Sequence, residues 1–123
     1  MTNQIEIDVE TTYLSSESKP EENKYYFLYT VLIKNNGDKR TKLLSRHWVI
    51  KDDNGKVQDV KGEGVIGEQP EIKPGEEFQY TSGTMIETSF GTMKGSDHMI
   101  DDEDNYFDAV IPEFILSIPR VIH

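Results

Sequence analysis

The side chains best suited to chemistry stand consecutively at Ser45, Arg46 and His47, just before the single tryptophan, Trp48. Ser45 and His47 are two residues apart, so on a β-strand both side chains would project from the same face. A serine beside a histidine can act as a nucleophile only when a third group orients the imidazole. No nucleophile elbow or metalloprotease helix motif accompanies the pair. The sequence therefore favours a chain that is not an enzyme.

Arg46 raises a different question, because on the same strand it would share its face with Leu44 and Trp48. A guanidinium on an apolar face needs a carboxylate partner, or it offers a planar fork to an anionic ligand. We favour an internal ion pair with an acid such as Glu63 or Glu68, because acidic residues outnumber basic ones 23 to 13. The anionic ligand stays open as the alternative.

A glycine-rich segment, Gly62 to Gly67, matches the letters G-x-G-x-x-G. In a dinucleotide-binding fold this motif opens a helix whose N-terminus holds the pyrophosphate, but Pro70 and Pro74 follow too closely for a helix here. A backbone nest for another anion is more plausible, and a purely structural loop is the leading interpretation. The residues predicted to bind a ligand or partner are Arg46, His47, Gly62, Gly64, Gly67 and Glu68.

A second polar group surrounds His98, which lies near Asp97 and the acidic run from Asp101 to Asp104. Oxygen ligands of this kind can collect Mg²⁺ or Ca²⁺. The run lacks the spacing of an EF-hand loop, and adjacent acids on a tight turn point in different directions. We therefore expect weak, non-specific divalent binding, no dedicated metal site and no cofactor.

The composition predicts an all-β protein, because twelve isoleucines, eight valines and nine threonines stand against one alanine and six leucines. The net charge of −10 disfavours binding to nucleic acid. There is no cysteine, no signal sequence at the N-terminus and no apolar run long enough to span a bilayer. These features favour a cytoplasmic protein, and they are compatible with a homodimer.

Apolar residues alternate with polar ones in several short segments, which are separated by turn residues. This pattern predicts one domain over residues 1–123, built as a β-sandwich. The Asn54-Gly55 pair predicts a hairpin turn, and Pro112 predicts a bulge or a sheet edge. The predicted strands are Ile5 to Tyr13, Tyr25 to Ile33, Thr41 to Lys51, Val57 to Val60, Phe78 to Tyr80, Gly91 to Met99 and Tyr106 to Ile118; the predicted loops include Gly62 to Gly75 and Ser82 to Gly91.

Several blocks of this chain together resemble the bacterial ApaG family. They are Leu43 to Trp48, Gly62 to Pro70, Pro74 to Glu76, Tyr80 to Gly83, Gly91 to Ser96 and Phe107 to His123. The resemblance implies an immunoglobulin-like or fibronectin type III-like β-sandwich of two antiparallel sheets. It also implies an association with cobalt tolerance and magnesium efflux. Related domains in an F-box protein and a polymerase-interacting protein imply protein binding.

Residues and resemblance together favour a non-catalytic binding module that acts through protein–protein interaction. The first alternative is a regulator that binds a phosphate-containing small ligand or nucleotide, such as a diadenosine polyphosphate, at the glycine-rich loop. The second and less favoured alternative is an enzyme. Loops gather at the ends of a sandwich, so we expect the binding surface at Gly62 to Pro70 or Gly83 to Gly95. The strand edge near Pro112 is the next choice.

Overall fold

The computed structural model describes residues 4–64 and 67–119. Within these ranges the chain forms eight β-strands and one short 3₁₀-helix, Pro20–Glu22. None of the described helices is long and apolar enough to cross a membrane. The strands are β1 (Ile5–Tyr13), β2 (Tyr25–Asn35), β3 (Thr41–Asp52), β4 (Val57–Glu63), β5 (Glu71–Ile72), β6 (Glu77–Ile86), β7 (Phe90–Asp101) and β8 (Tyr106–Ser117).

The small sheet has three strands in the order β1-β2-β6, all antiparallel. Its central strand is β2, which pairs along most of its length with both neighbours. This central position explains why β2 carries apolar residues on both of its faces. Phe27, Tyr29, Val31 and Ile33 are buried, whereas the residues between them are half-buried.

The large sheet has five strands, in the order β4-β3-β7-β8 with β5 also paired to β3. The two sheets pack face to face, and β1 of the small sheet lies beside β8 of the large one. The architecture is a β-sandwich of two antiparallel sheets, as the sequence pattern predicted, and it is consistent with the immunoglobulin-like or fibronectin type III-like form that the resemblance implied.

Two bulges change the phase of strands in the large sheet. In β3 the register against β7 shifts between Leu43 and Ser45, so Leu44 is an extra residue. The prediction that Leu44 shares the inner face with Arg46 and Trp48 is therefore wrong. Leu43 is fully buried in its place, because the bulge reverses the alternation at this point.

The second bulge lies in β8 at Pro112 and Glu113, where the register against β7 shifts between Met93 and Gly95. Proline has no N–H to donate, so a bulge on an edge strand accommodates it without losing a ladder bond. The predicted bulge or edge at Pro112 is confirmed, and it is both. Gly95 lies next to the irregularity but on the partner strand.

The core lies between the two sheets around Trp48, which is 1% exposed. Its ring makes edge-to-face contacts with Tyr29 of the small sheet, at 5.2 Å between centroids, and with Phe114 of β8, at 5.8 Å. Such contacts add to the burial of large apolar area. The other fully buried large side chains are Phe27, Val31, Ile33, Leu43, Ile72, Ile86, Met93, Met99, Ile111 and Leu116.

Some predicted loops are strands in the structure. β4 continues through Gly62 to Glu63, and β6 continues through Gly83 to Ile86. Glycine weakens a strand but does not end it when a neighbouring strand supplies the ladder, as β2 does for β6. The predicted turn at Gly55 is confirmed, with φ at +85° and the backbone N–H of Asp52 donating to the Lys56 carbonyl at 3.0 Å.

Candidate functional site

The outer face of the large sheet is the face that points away from the core, and its centre carries two histidines and two serines. In the register of β3 and β7, Ser45 lies opposite His98 and His47 lies opposite Ser96. Imidazoles and hydroxyls therefore occupy alternating corners of a square. The predicted proximity of Ser45 and His47 is confirmed, but the neighbours on β7 could not be known without the register.

Each histidine is held by a carboxylate on an adjacent strand. His47 Nε2 lies 2.9 Å from Asp59 Oδ1 on β4, and His98 Nδ1 lies 2.9 Å from Asp108 Oδ1 on β8. The His98 ring also stacks on Tyr106, with centroids 5.6 Å apart and planes 6° from parallel. A carboxylate at one ring nitrogen orients the imidazole and leaves the other nitrogen for a ligand.

A shallow concavity of about 420 Å³ lies over this square. It is lined by Ser45, Arg46, His47, Lys61, Gly62, Glu63, Ser96, His98 and Asp108. Of the predicted binding residues, only His47 presents its side chain to this surface. Arg46 and Gly62 also border the concavity, but the Arg46 side chain and the Cβ position of Gly62 lie on the inner side of the sheet. The remaining three, Gly64, Gly67 and Glu68, do not line it.

Ser45, His98 and Asp108 have the residue types of a hydrolase triad, but their geometry does not activate the serine. Among the described residues, Ser45 Oγ has no hydrogen bond to His98. The hydroxyl, the imidazoles and the carboxylates are instead exposed hydrogen-bond donors and acceptors on this face. The arrangement can bind, and it lacks the nucleophile–base contact that acyl transfer needs.

The inner face of the same two strands carries Arg46 and Asp97, which lie opposite each other in the register. Arg46 Nη1 donates a hydrogen bond to the Gly64 carbonyl. Glu63 and Glu68 are exposed, and within the described ranges neither forms an ion pair with Arg46. The predicted pairing with these two acids is wrong, because the acid that faces the guanidinium comes from β7, which is distant in sequence.

Asp97 is fully buried, and among the described residues neither of its carboxylate oxygens has a hydrogen-bond partner. Burial raises the pKa of this carboxyl to about 7, against the opposing pull of the Arg46 charge. The neighbouring Tyr80 hydroxyl is likewise buried without a partner in this part of the chain, and burial raises its pKa above the ordinary range. This inner polar cluster of Arg46, Tyr80 and Asp97 is missed by sequence reasoning.

The glycine-rich segment closes on itself. Gly64 has φ at +58°, and a Cβ there would overlap the Glu68 carbonyl, so the close approach requires glycine. Gly62 lies within β4, beneath the Arg46 guanidinium, and Gly67 is exposed with φ at +78°. A dinucleotide site is excluded because a strand, not a helix, leads into and out of the segment. Gly64→Val would disturb the loop itself, so it is a poor probe of binding.

The acidic turn between β7 and β8 is held together by Asp101. Its Oδ1 accepts hydrogen bonds from the backbone N–H groups of Glu103, at 2.9 Å, and Asn105, at 3.0 Å. These bonds, the one from Asn105 first, lower the pKa of Asp101. His98 points to the opposite face from Asp97, so the predicted grouping of His98 with these acids is wrong. The described residues contain no group of three side chains that could hold a metal ion.

Comparison with known proteins agrees with the fold. Residues 15–101 match the model of the ApaG domain. Protein ApaG of Nitrosospira multiformis is 51% identical over 120 residues, which cover 98% of this chain and 94% of the relative. Protein ApaG of Thiobacillus denitrificans has the same identity over 120 residues, with coverage of 98% and 94%.

A solved structure, that of the putative ApaA protein from Bordetella pertussis, superimposes with a TM-score of 0.94 at 40% identity, covering 97% of both chains. The domain match spans more than half of this sequence, and the curated relatives align over nearly all of it. The chain therefore belongs to the ApaG family.

Proposed function

We propose that this chain is a non-catalytic binding module that docks a protein partner on the outer face of the large sheet. The observation that carries the proposal is a row of exposed apolar side chains on β8, beside the histidine concavity. Tyr106 is 65% exposed, Val110 is 70% exposed and Ile115 is 57% exposed. Large apolar groups exposed on one strand are typical of a surface that another protein covers.

The polar groups beside this row support the same function. The His47 and His98 rings are held by carboxylates, so they are ordered before a partner arrives, and less entropy is lost on binding. Tyr106 presents an aromatic ring that is already stacked on His98. Tyrosine is enriched at binding hot spots because it combines apolar area with a hydroxyl.

The glycine-rich loop gives less support to the alternative, a phosphate-containing ligand or a diadenosine polyphosphate. Its nearby guanidinium, Arg46, already donates to the Gly64 carbonyl, and Glu68 adds an exposed negative charge. We also attribute the association with cobalt tolerance and magnesium efflux to a protein partner. Asp101, the first acid of the acidic turn, already accepts hydrogen bonds from the backbone of its own turn.

The experiment compares partner capture by tagged variants from a native extract. The double variant Val110→Ser/Ile115→Ser removes the apolar row, and Glu68→Lys alters the glycine-rich loop. Val57→Ser is the matched control, because this valine is 53% exposed on β4, the opposite edge of the same sheet. We expect the double variant to lose the captured proteins while Glu68→Lys and Val57→Ser retain them. Loss with Glu68→Lys alone would move the site to the loop.

A further inference from the structure

The row of Tyr106, Val110 and Ile115 lies in a segment of unusual charge. From Asp101 to Pro119 the sequence contains six acidic residues and no lysine, arginine or histidine. Of these acids, Asp108 lies between Tyr106 and Val110 on the outward parity of β8. The row on β8 is therefore apolar and acidic, and the base that contacts it, His98, belongs to the neighbouring strand β7.

The spacing along β8 is regular in its N-terminal half. Tyr106, Asp108 and Val110 are alternate residues of one strand, so their side chains stand about 7 Å apart in the order apolar, acidic, apolar. Further along, Glu113 lines a second concavity of about 530 Å³ with Phe90 and Thr92, next to Ile115. The alternation of apolar and acidic groups thus extends beyond the bulge.

The bulge in β8 limits the ways in which a partner can bind to this strand. β8 is an edge strand of the large sheet, but Pro112 lacks an N–H and the bulge interrupts its outer edge. A partner strand cannot extend the sheet past this point with a continuous ladder of hydrogen bonds. Recognition through the outward side chains of β8 is the geometry that remains available.

Resting on the proposed function, we infer that the partner presents a protein segment in which a lysine or arginine stands between two apolar residues. In an extended segment these side chains would be at positions i, i+2 and i+4, which matches the spacing of Tyr106, Asp108 and Val110. The two apolar side chains cover Tyr106 and Val110, and the base meets the Asp108 carboxylate. The His98 imidazole holds that carboxylate at 2.9 Å, so it is already in place.

The test is a selection from a random 12-residue peptide library displayed on phage, with the full chain as the immobilised target. We expect enriched peptides to share an apolar–x–Lys/Arg–x–apolar pattern. The best peptide is then synthesised with a fluorescent label, and its affinity is measured by anisotropy. Asp108→Lys should weaken binding about tenfold, because a like charge replaces the complementary one. Raising the salt concentration should also weaken it. Gln79→Lys, on the small sheet, is the control and should bind normally.

The outcomes separate the inference from the proposed function. If the enriched peptides are acidic or uncharged but still fail to bind Val110→Ser/Ile115→Ser, the surface is right and the inferred partner chemistry is wrong. If basic peptides bind that double variant as well as the wild type, both the surface and the inference fail. Selection without any enriched pattern also overturns the inference. Circular dichroism of each variant confirms that a loss of binding is not a loss of fold.

Discussion

The inner and outer faces of β3 and β7 carry polar residues that are neighbours in sequence but differ in burial and in hydrogen bonding. Arg46 and Asp97 point inward, where Asp97 is buried without a hydrogen-bond partner among the described residues. His47 and His98 are next to them in sequence, yet they point outward and are each paired with a carboxylate. A buried unpaired polar group is costly, whereas an exposed pair costs little and contributes little.

This difference assigns stability to the inner face of these two strands and the proposed binding to their outer face. Changes on the inner face should alter the free energy of unfolding. They should leave the proposed docking surface intact as long as the variant still folds. Changes on the outer face should alter binding and leave the free energy of unfolding nearly unchanged. The following predictions test that separation, starting from the largest expected effect.

Replacing Trp48 by alanine should lower the free energy of unfolding by about 3–5 kcal/mol, because it empties the centre of the core. Urea denaturation measures this loss, and the tryptophan fluorescence of the folded wild type should be blue-shifted. Val57→Ala, at an exposed position of β4, is the control and should change stability little. An unchanged melting temperature for Trp48→Ala would contradict the assigned core.

Replacing Asp97 by asparagine should remove a pH dependence of stability. The pKa of Asp97 is raised from 3.8 to about 7, so between these values the folded chain keeps a proton that the unfolded chain has released. The free energy of unfolding of the wild type should therefore fall as pH rises through this window, by about 3 kcal/mol more than that of Asp97→Asn between about pH 4.5 and 7.5.

Urea denaturation of both proteins at these two pH values measures the difference. Because each protein is compared with itself, contributions of the remaining titratable groups cancel when the two changes are subtracted. Parallel pH profiles for wild type and Asp97→Asn would show that this carboxyl is solvated or paired in solution.

Replacing Gly95 by alanine should cost about 1–3 kcal/mol, because a Cβ there would overlap the His47 carbonyl and lie 3.0 Å from Trp48 Cε3. Gly83→Ala is the matched control, since a Cβ at this β6 glycine meets the Phe27 carbonyl oxygen at an ordinary 3.5 Å. Comparing the melting temperatures of both variants separates the effect of close packing at Gly95 from the general effect of replacing a glycine in a strand by alanine. Equal melting temperatures would argue against the tight contact of β7 with β3 at Trp48.

Replacing His98 by glutamine should change the free energy of unfolding by less than about 1 kcal/mol, because its pair with Asp108 is exposed. His47→Gln should behave in the same way, since its pair with Asp59 is exposed too. Capture of the partner should nevertheless weaken for both, as measured in the extract experiment. A large loss of stability for either would mean that the outer face is structural.

The sequence is sufficient for the fold class and for most strands, because alternation and turn residues are local signals. The burial of Trp48 and of one row of β2 side chains could be predicted from the alternation of side chains alone. The partners across strands do not, since the meeting of Arg46 with Asp97, or His98 with Asp108, depends on registers that a single sequence does not encode locally. The prediction from alternation fails at the Leu44 bulge, because one extra residue there reverses which face the following side chains point to.

Glycines cause a second kind of error, the prediction of a loop where the structure has a strand. Local composition predicts loops at Gly62 and Gly83, yet both residues lie in strands whose ladders are supplied by neighbours. A Cβ added to Gly62 would meet the Arg46 Cζ at an ordinary 3.4 Å, and one added to Gly83 would meet the Phe27 carbonyl oxygen at 3.5 Å, so close packing requires glycine at neither position. Their place in a strand comes from pairing with neighbouring strands, so local composition gives no sign of it.

The bulge residue Leu44 also has a consequence for how the family can change in length. Its carbonyl accepts hydrogen bonds from the Gly64 N–H, at 2.7 Å, and from Gln69 Nε2, at 3.0 Å, so it anchors both ends of the glycine-rich loop. Deleting Leu44 would restore strict alternation and keep Leu43 and Arg46 facing inward. Deleting a residue elsewhere in β3 would instead exchange inner and outer side chains along the remainder of the strand. A one-residue deletion in β3 therefore disturbs the facing of its side chains least at Leu44, where its cost is the loss of the acceptor for the Gly64 N–H and for Gln69 Nε2.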